Sequence, residues 1–165
     1  MNHIRSGGGR AKKPLTPVRA ALLSTSSLHG QVVDALGAVK DGHRDYIDGP
    51  LRIDFADSID VDDALHSGNE QENRWDYLLG HGPSDAVIAL EPHSAKTGEI
   101  STVIRKKEAA TRQLAPHLRS GSRIARWLWV ASGPVDFADT EKARRALDQR
   151  GILFVGKSVL RKHLP

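Results

Sequence analysis

Cysteine is absent from the 165 residues of this chain. That excludes disulfides, thiolate metal ligands and a cysteine nucleophile, and it fits a reducing compartment. Long apolar runs are missing as well. None approaches the roughly 18 residues that span a bilayer, so no membrane partner is expected. Basic residues near the N-terminus (Arg5, Arg10, Lys12, Lys13) are not followed by the apolar stretch of a secretory signal. Three further absences narrow the chemistry: there is no Gly-rich phosphate loop, no Ser-centred hydrolase elbow and no HExxH helix.

What is present points to a folded α/β protein. The length suits one domain, and an apolar fraction of 39% gathered into short runs supplies a core. Residues 1–15 combine Ser6-Gly7-Gly8-Gly9 with Lys12-Lys13-Pro14 and carry no apolar set to pack, so they are expected to be a flexible basic arm. Residues 16–165 are expected to form the single domain, in a cytoplasmic protein.

Charge is segregated along the chain. Residues 1–33 carry a net charge of +5, residues 34–92 a net of −10 and residues 93–165 a net of +9, within an overall +4. A basic arm and a basic back half around an acidic middle suit a polyanion-binding surface with a cation site inside it. Arg10, Lys12 and Lys13 of the arm, with Lys96, Arg105, Lys106, Lys107 and Arg112 further on, are the expected phosphate contacts. An ordinary solvated surface with uneven charge is the plain alternative.

Periodicity gives the element order. Thr16-Pro17 opens a helical stripe that extends to about residue 40, with a break or kink at the hydroxyl run 24–27. A strand is predicted over 51–55, and the acidic stretch 56–73 reads as a loop or a short exposed helix. Residues 75–79 and 86–90 read as a hairpin around Gly80-His81-Gly82-Pro83. The second of these strands is apolar at every position, which requires cover on both faces. Ser94 or Thr97 can cap a helix over 99–118. A buried strand over 124–131, a helix capped by Asp139 or Thr140 and closed by Gly151, and a last strand over 152–155 complete the chain. The 86–90 and 124–131 strands should be neighbours, with the 99–118 helix crossing between them in a mixed sheet flanked by helices.

The residues that carry chemistry lie on the hairpin. Asp76 begins one strand, Glu91 ends the next, and His93 shares the facing of Glu91. Two carboxylates at one rim repel unless a proton or cation sits between them, and a hard divalent cation wants that oxygen ligation. Asp85 beside the turn is the backup for Asp76. The run Asp54, Asp57, Asp60, Asp62 and Asp63 lacks the central Gly and terminal Glu of a calcium loop, and it reads as solvated. Trp127 and Trp129 share one strand face and read as core. His117 and His163 carry no spacing signal.

In the order of its elements, and in Trp75-Asp76-Tyr77-Leu78-Leu79 followed by Val87-Ile88-Ala89-Leu90-Glu91-Pro92-His93, the chain resembles the PD-(D/E)XK nuclease superfamily. The resemblance implies a restriction-endonuclease-like three-layer fold and a nuclease that hydrolyses phosphodiester bonds in DNA or RNA. It implies Mg²⁺ or Mn²⁺ held by Asp76 and Glu91, with His93 standing where the family has its motif Lys. Lys96, Lys106 or Lys107 could supply the missing cation, and Asp34 is the nearest match to the acidic residue some members take from the first helix. A non-catalytic relative that binds nucleic acid or a partner protein is the alternative, and an adaptor for an acidic protein, or a homodimer, also stays open.

Overall fold

Among the described residues, six strands lie side by side in sequence order: β1 (Val33–Asp34), β2 (Phe55–Asp60), β3 (Tyr77–His81), β4 (Ala86–Ala95), β5 (Ile124–Val135) and β6 (Ile152–Phe154). The first four pair antiparallel, while β4–β5 and β5–β6 pair parallel. The sheet therefore changes sense at β4. Its helices are α1 (Pro17–Ala21), α2 (Asp41–Arg44), α3 (Val61–Ala64), α4 (Glu99–Leu114) and α5 (Glu141–Gln149). This is the structure of a computed structural model that describes residues 14–136 and 141–165. Arg10, Lys12 and Lys13 of the basic arm, and the capping positions Asp139 and Thr140, lie outside the described residues.

Alternation along the strands divides the core in two. Leu78, Val87, Ala89, Trp127 and Trp129 face one side, where Val18 and Leu22 from the α1 region, Val103, Ala110 and Leu114 of α4 and Leu147 of α5 cover them. Tyr77, Leu79, Ile88, Leu90, Leu128 and Val130 face the other, against Leu36, Val39, Ile47, Leu51, Val155 and Val159. Both long helices thus sit on one face, as two successive parallel crossovers of the same hand require. The opposite face is covered by short helical turns and loops. β4 and β5 are the expected buried neighbours, and α4 makes the crossover between them. The tryptophans are core: Trp129 is fully buried, and Trp127 meets Trp75 edge to face at 5.0 Å between ring centroids.

Four sequence expectations need correction. The stripe over 17–40 is not one helix. α1 stops at Ala21, and the chain then passes through a 3-10 turn (His29–Gln31) into β1. The backbone is already extended at Leu22, before the hydroxyl run 24–27 is reached, and that run does not restart a helix. Residues 51–55 are not a strand. Gly49–Asp54 is a 3-10 turn with Pro50 near its start, and extended structure begins at Phe55. The helix expected over 99–118 ends at Leu114, because Pro116 lies in a 3-10 turn (Ala115–His117). It also starts from Gly98, at φ 89°, without a side-chain cap from Ser94 or Thr97.

The acidic run is not simply solvated either. Asp57 is fully buried, and its carboxylate accepts the backbone N–H groups of Val18 (3.1 Å) and Arg19 (3.0 Å). It satisfies donors at the start of α1 that the side chain of Thr16 leaves unpaired. Gly80 on β3 leaves room for that carboxylate, since a Cβ there would overlap Asp57 Oδ1. Gly80→Ala is therefore expected to cost about 2 kcal/mol through overpacking and loss of the α1 cap. Urea unfolding reads it directly, and an unchanged midpoint would mean that Asp57 re-seats at no cost.

Candidate active site

The hairpin register decides which carboxylates meet. Tyr77 pairs with Leu90, so the next rung places Asp76 opposite Glu91. The ladder to β3 stops at Leu90, and β4 continues through Glu91-Pro92-His93 paired only with β5. Pro92 lies beyond the β3 ladder, where β4 keeps a strand neighbour on one side only, the kind of position in which a proline is tolerated. In place of a ladder bond, the Asp76 N–H donates to Glu91 Oε2 at 2.8 Å. Asp76, Glu91 and His93 share the helix-covered face, by the same alternation that turns Leu78 and Ala89 there.

Lys106 of α4 comes down on this pair, and its ammonium contacts Glu91 Oε1. On α4, Lys106 lies three residues after Val103 and four before Ala110, both fully buried, so it belongs to the apolar stripe. Its side chain is only 16% exposed. Lys106 is therefore a site residue rather than a cation on the outer face. His93 stands alongside: its Nε2 lies 2.9 Å from Glu99 Oε2, at the start of α4, and its Nδ1 lies 3.7 Å from Glu91 Oε1.

Burial sets the electrostatics. Glu91 is fully buried, which pushes its carboxyl up to about 8; repulsion from Asp76 adds to this and the Lys106 ammonium opposes it. Asp76 is raised chiefly by burial, against the pull of Lys106. Asp60, at the end of β2, is also raised by burial, and an N–H from Asp63 opposes that shift. Glu99 is held below the usual carboxylate range by its hydrogen bond with His93. On the other face, Tyr77 is pushed up to about 12, mainly by burial, and its hydroxyl lies 2.6 Å from His43 Nδ1.

The remaining candidates are dispersed. Lys107 packs over the Trp127 ring and donates to the carbonyl of Arg150, and burial lowers its pKa. Arg112 lies 3.7 Å from Glu72, Arg105 reaches the Thr102 hydroxyl, and Lys96 is exposed before α4. Asp34 is on β1, paired with Arg19 at 2.9 Å. Asp85 holds a turn position at φ 52°, at the far end of the hairpin from Asp76. His117 bonds Ser26, and His163 accepts the Leu160 N–H.

Among the described residues there is no group of three or more His, Asp or Glu side chains spaced to hold a metal. Both Glu91 oxygens already accept from protein donors, whereas the Asp76 carboxylate has none among the described residues. A carboxylate oxygen keeps a further lone pair after one such bond. Two carboxylates therefore fit a cation that retains most of its waters, as Mg²⁺ does, and not a closed protein cage.

No protein-family model matches the chain, and no curated protein or solved structure matches it either. Among the described residues, no helix is long and apolar enough to cross a membrane.

Proposed function

We propose that this protein is a metal-dependent nuclease with a restriction-endonuclease-like fold, hydrolysing phosphodiester bonds of DNA or RNA. The convergence of Asp76, Glu91 and Lys106 beside the switch strand β4 carries this reading. An acid before one strand, an acid on the next and a lysine against it form the trio implied by the resemblance to PD-(D/E)XK nucleases. Here the lysine comes from the following helix instead of the position of His93.

Each group has a role in that chemistry. Mg²⁺ or Mn²⁺ bound by Asp76 and Glu91 would neutralise phosphate charge and acidify a bound water. Lys106 offsets the negative charge that grows on the phosphoryl oxygens as water attacks phosphorus and the bond to the leaving sugar oxygen breaks. Lys96, Arg105 and Arg112 give phosphate contacts, which position a strand without reading its sequence. Arg10, Lys12 and Lys13 would extend that surface.

Incubation with single- and double-stranded DNA and RNA, in Mg²⁺, Mn²⁺ or a chelator, tests the reading, with binding measured alongside. Cation-dependent cleavage is expected. The second reading is a non-catalytic relative, which the Lys106–Glu91 contact favours because it already occupies one carboxylate oxygen. Salt-sensitive binding without cleavage of any substrate would select it, and no binding at all would select an adaptor for a protein.

A further inference from the structure

We propose that Glu99 is a positioning residue that fixes His93 as the Nε2–H tautomer and turns its bare Nδ1 toward Glu91 and Lys106. The inference rests on the nuclease reading of this site.

Hydrogen-bond partners decide the tautomer. Glu99 Oε2 lies 2.9 Å from His93 Nε2, a normal N–H···O distance, and a carboxylate can only accept. The Nε2 atom must therefore carry the hydrogen. In the neutral ring, Nδ1 is then an acceptor. Its nearest acidic atom, Glu91 Oε1, lies 3.7 Å away, beyond a hydrogen bond, and that oxygen already receives the Lys106 ammonium. In that neutral ring Nδ1 keeps a lone pair with no hydrogen-bond donor among the described residues, at the rim of the trio. A water beside Asp76 and Glu91 can donate one hydrogen there, which aims its oxygen lone pair away from the ring.

Local structure makes the arrangement stiff. His93 sits on β4 where β5 still supports it, and Trp129 Nε1 donates to its carbonyl at 3.2 Å. Glu99 occupies the first turn of α4, where the helix dipole favours a negative side chain. That gives Glu99 a competing structural role, and the two roles respond differently to substitution. Glu99→Gln removes the charge but keeps an oxygen that accepts from Nε2–H. Glu99→Ala removes both.

Long-range ¹H–¹⁵N correlation on the ¹⁵N-labelled full chain in mildly alkaline solution reads the tautomer, with the His93 signals assigned by their loss in His93→Ala. The wild-type protein and Glu99→Gln are expected to show protonated Nε2 and bare Nδ1, and Glu99→Ala a mixture. In parallel, Glu99→Ala should lower kcat for Mg²⁺-dependent cleavage by roughly ten- to a hundredfold, with KM for the polynucleotide nearly unchanged, and Glu99→Gln should recover most of that loss. Protonated Nδ1 in the wild type, an unchanged tautomer in Glu99→Ala, or equal damage from Ala and Gln would each overturn the assignment. If the wild type cleaves no substrate, the nuclease reading falls, while the tautomer measurement still decides whether Glu99 sets His93.

Discussion

Asp76→Asn and Glu91→Gln, made separately, are each expected to reduce cation-dependent cleavage by on the order of a thousandfold, with affinity for nucleic acid little changed. Each substitution keeps the side chain's shape and removes a charge that a hard cation requires. The two should still differ in stability. Asp76 accepts no hydrogen bond among the described residues, so its amide costs little. Glu91→Gln leaves the Lys106 ammonium facing a neutral amide in a largely buried place, and its effect on stability depends on pH. Lys106→Met should also abolish cleavage, because it takes away the cation proposed to face the phosphate and removes the ammonium that opposes protonation of Glu91. Survival of cleavage in both carboxylate variants would move the active site elsewhere.

Stability is expected to fall as pH rises from about 5 to about 8.5, and Glu91→Gln should remove most of that fall. The ordinary value of a glutamate is 4.5, and burial lifts Glu91 to about 8 in the folded protein. Between those values the folded state holds a proton that the unfolded chain has released. Folding is therefore favoured below the lower value and loses that advantage as pH climbs through the upper one, at no more than about 1.4 kcal/mol per pH unit. Burial shifts Asp76 and Asp60 the same way, so some slope remains without Glu91. Urea midpoints of wild type and Glu91→Gln at the two pH values provide the comparison, and parallel curves would refute it. Added Mg²⁺ should work in the opposite direction, since a cation favours the ionised pair. It should raise the melting temperature more at about pH 8 than at about pH 5, a result that needs no catalysis to be seen.

The sequence disclosed the elements whose burial is enforced by periodicity alone. β4 and β5 are apolar on successive residues, and α4 repeats its apolar positions at helical spacing, so their kind and pairing could be read. The first fifty residues could not. Val18, Leu22, Leu28, Val32, Leu36 and Val39 mimic a helical stripe, but they belong to two separate packing surfaces. Only the sheet between those surfaces decides which side each residue takes.

At the candidate site, Asp76 and Glu91 were legible as strand-end acids, while their alignment was not, because it depends on the hairpin register. In the sequence Lys106 is one of three candidates for the missing cation, with Lys96 and Lys107, and it also counts among the basic residues that could contact phosphate. Lys106 falls between Val103 and Ala110 on the buried stripe, and a lysine there needs an anion inside the protein. Lys107 is also beside that stripe, yet its own neighbours are Trp127 and a carbonyl. Helical position alone does not distinguish the two lysines.

The switch of sheet sense at β4 sets an order on the folding chain. β3 and β4 are joined by a short turn and can pair after closing a small loop, whereas β5 and the α4 crossover require a much longer stretch to be ordered first. Setting Asp76 opposite Glu91 therefore needs only the local contact, whereas setting Lys106 against Glu91 needs the crossover as well. Without α4 the hairpin would juxtapose two carboxylates with no internal cation, and a proton or a solution cation would have to take the place of Lys106.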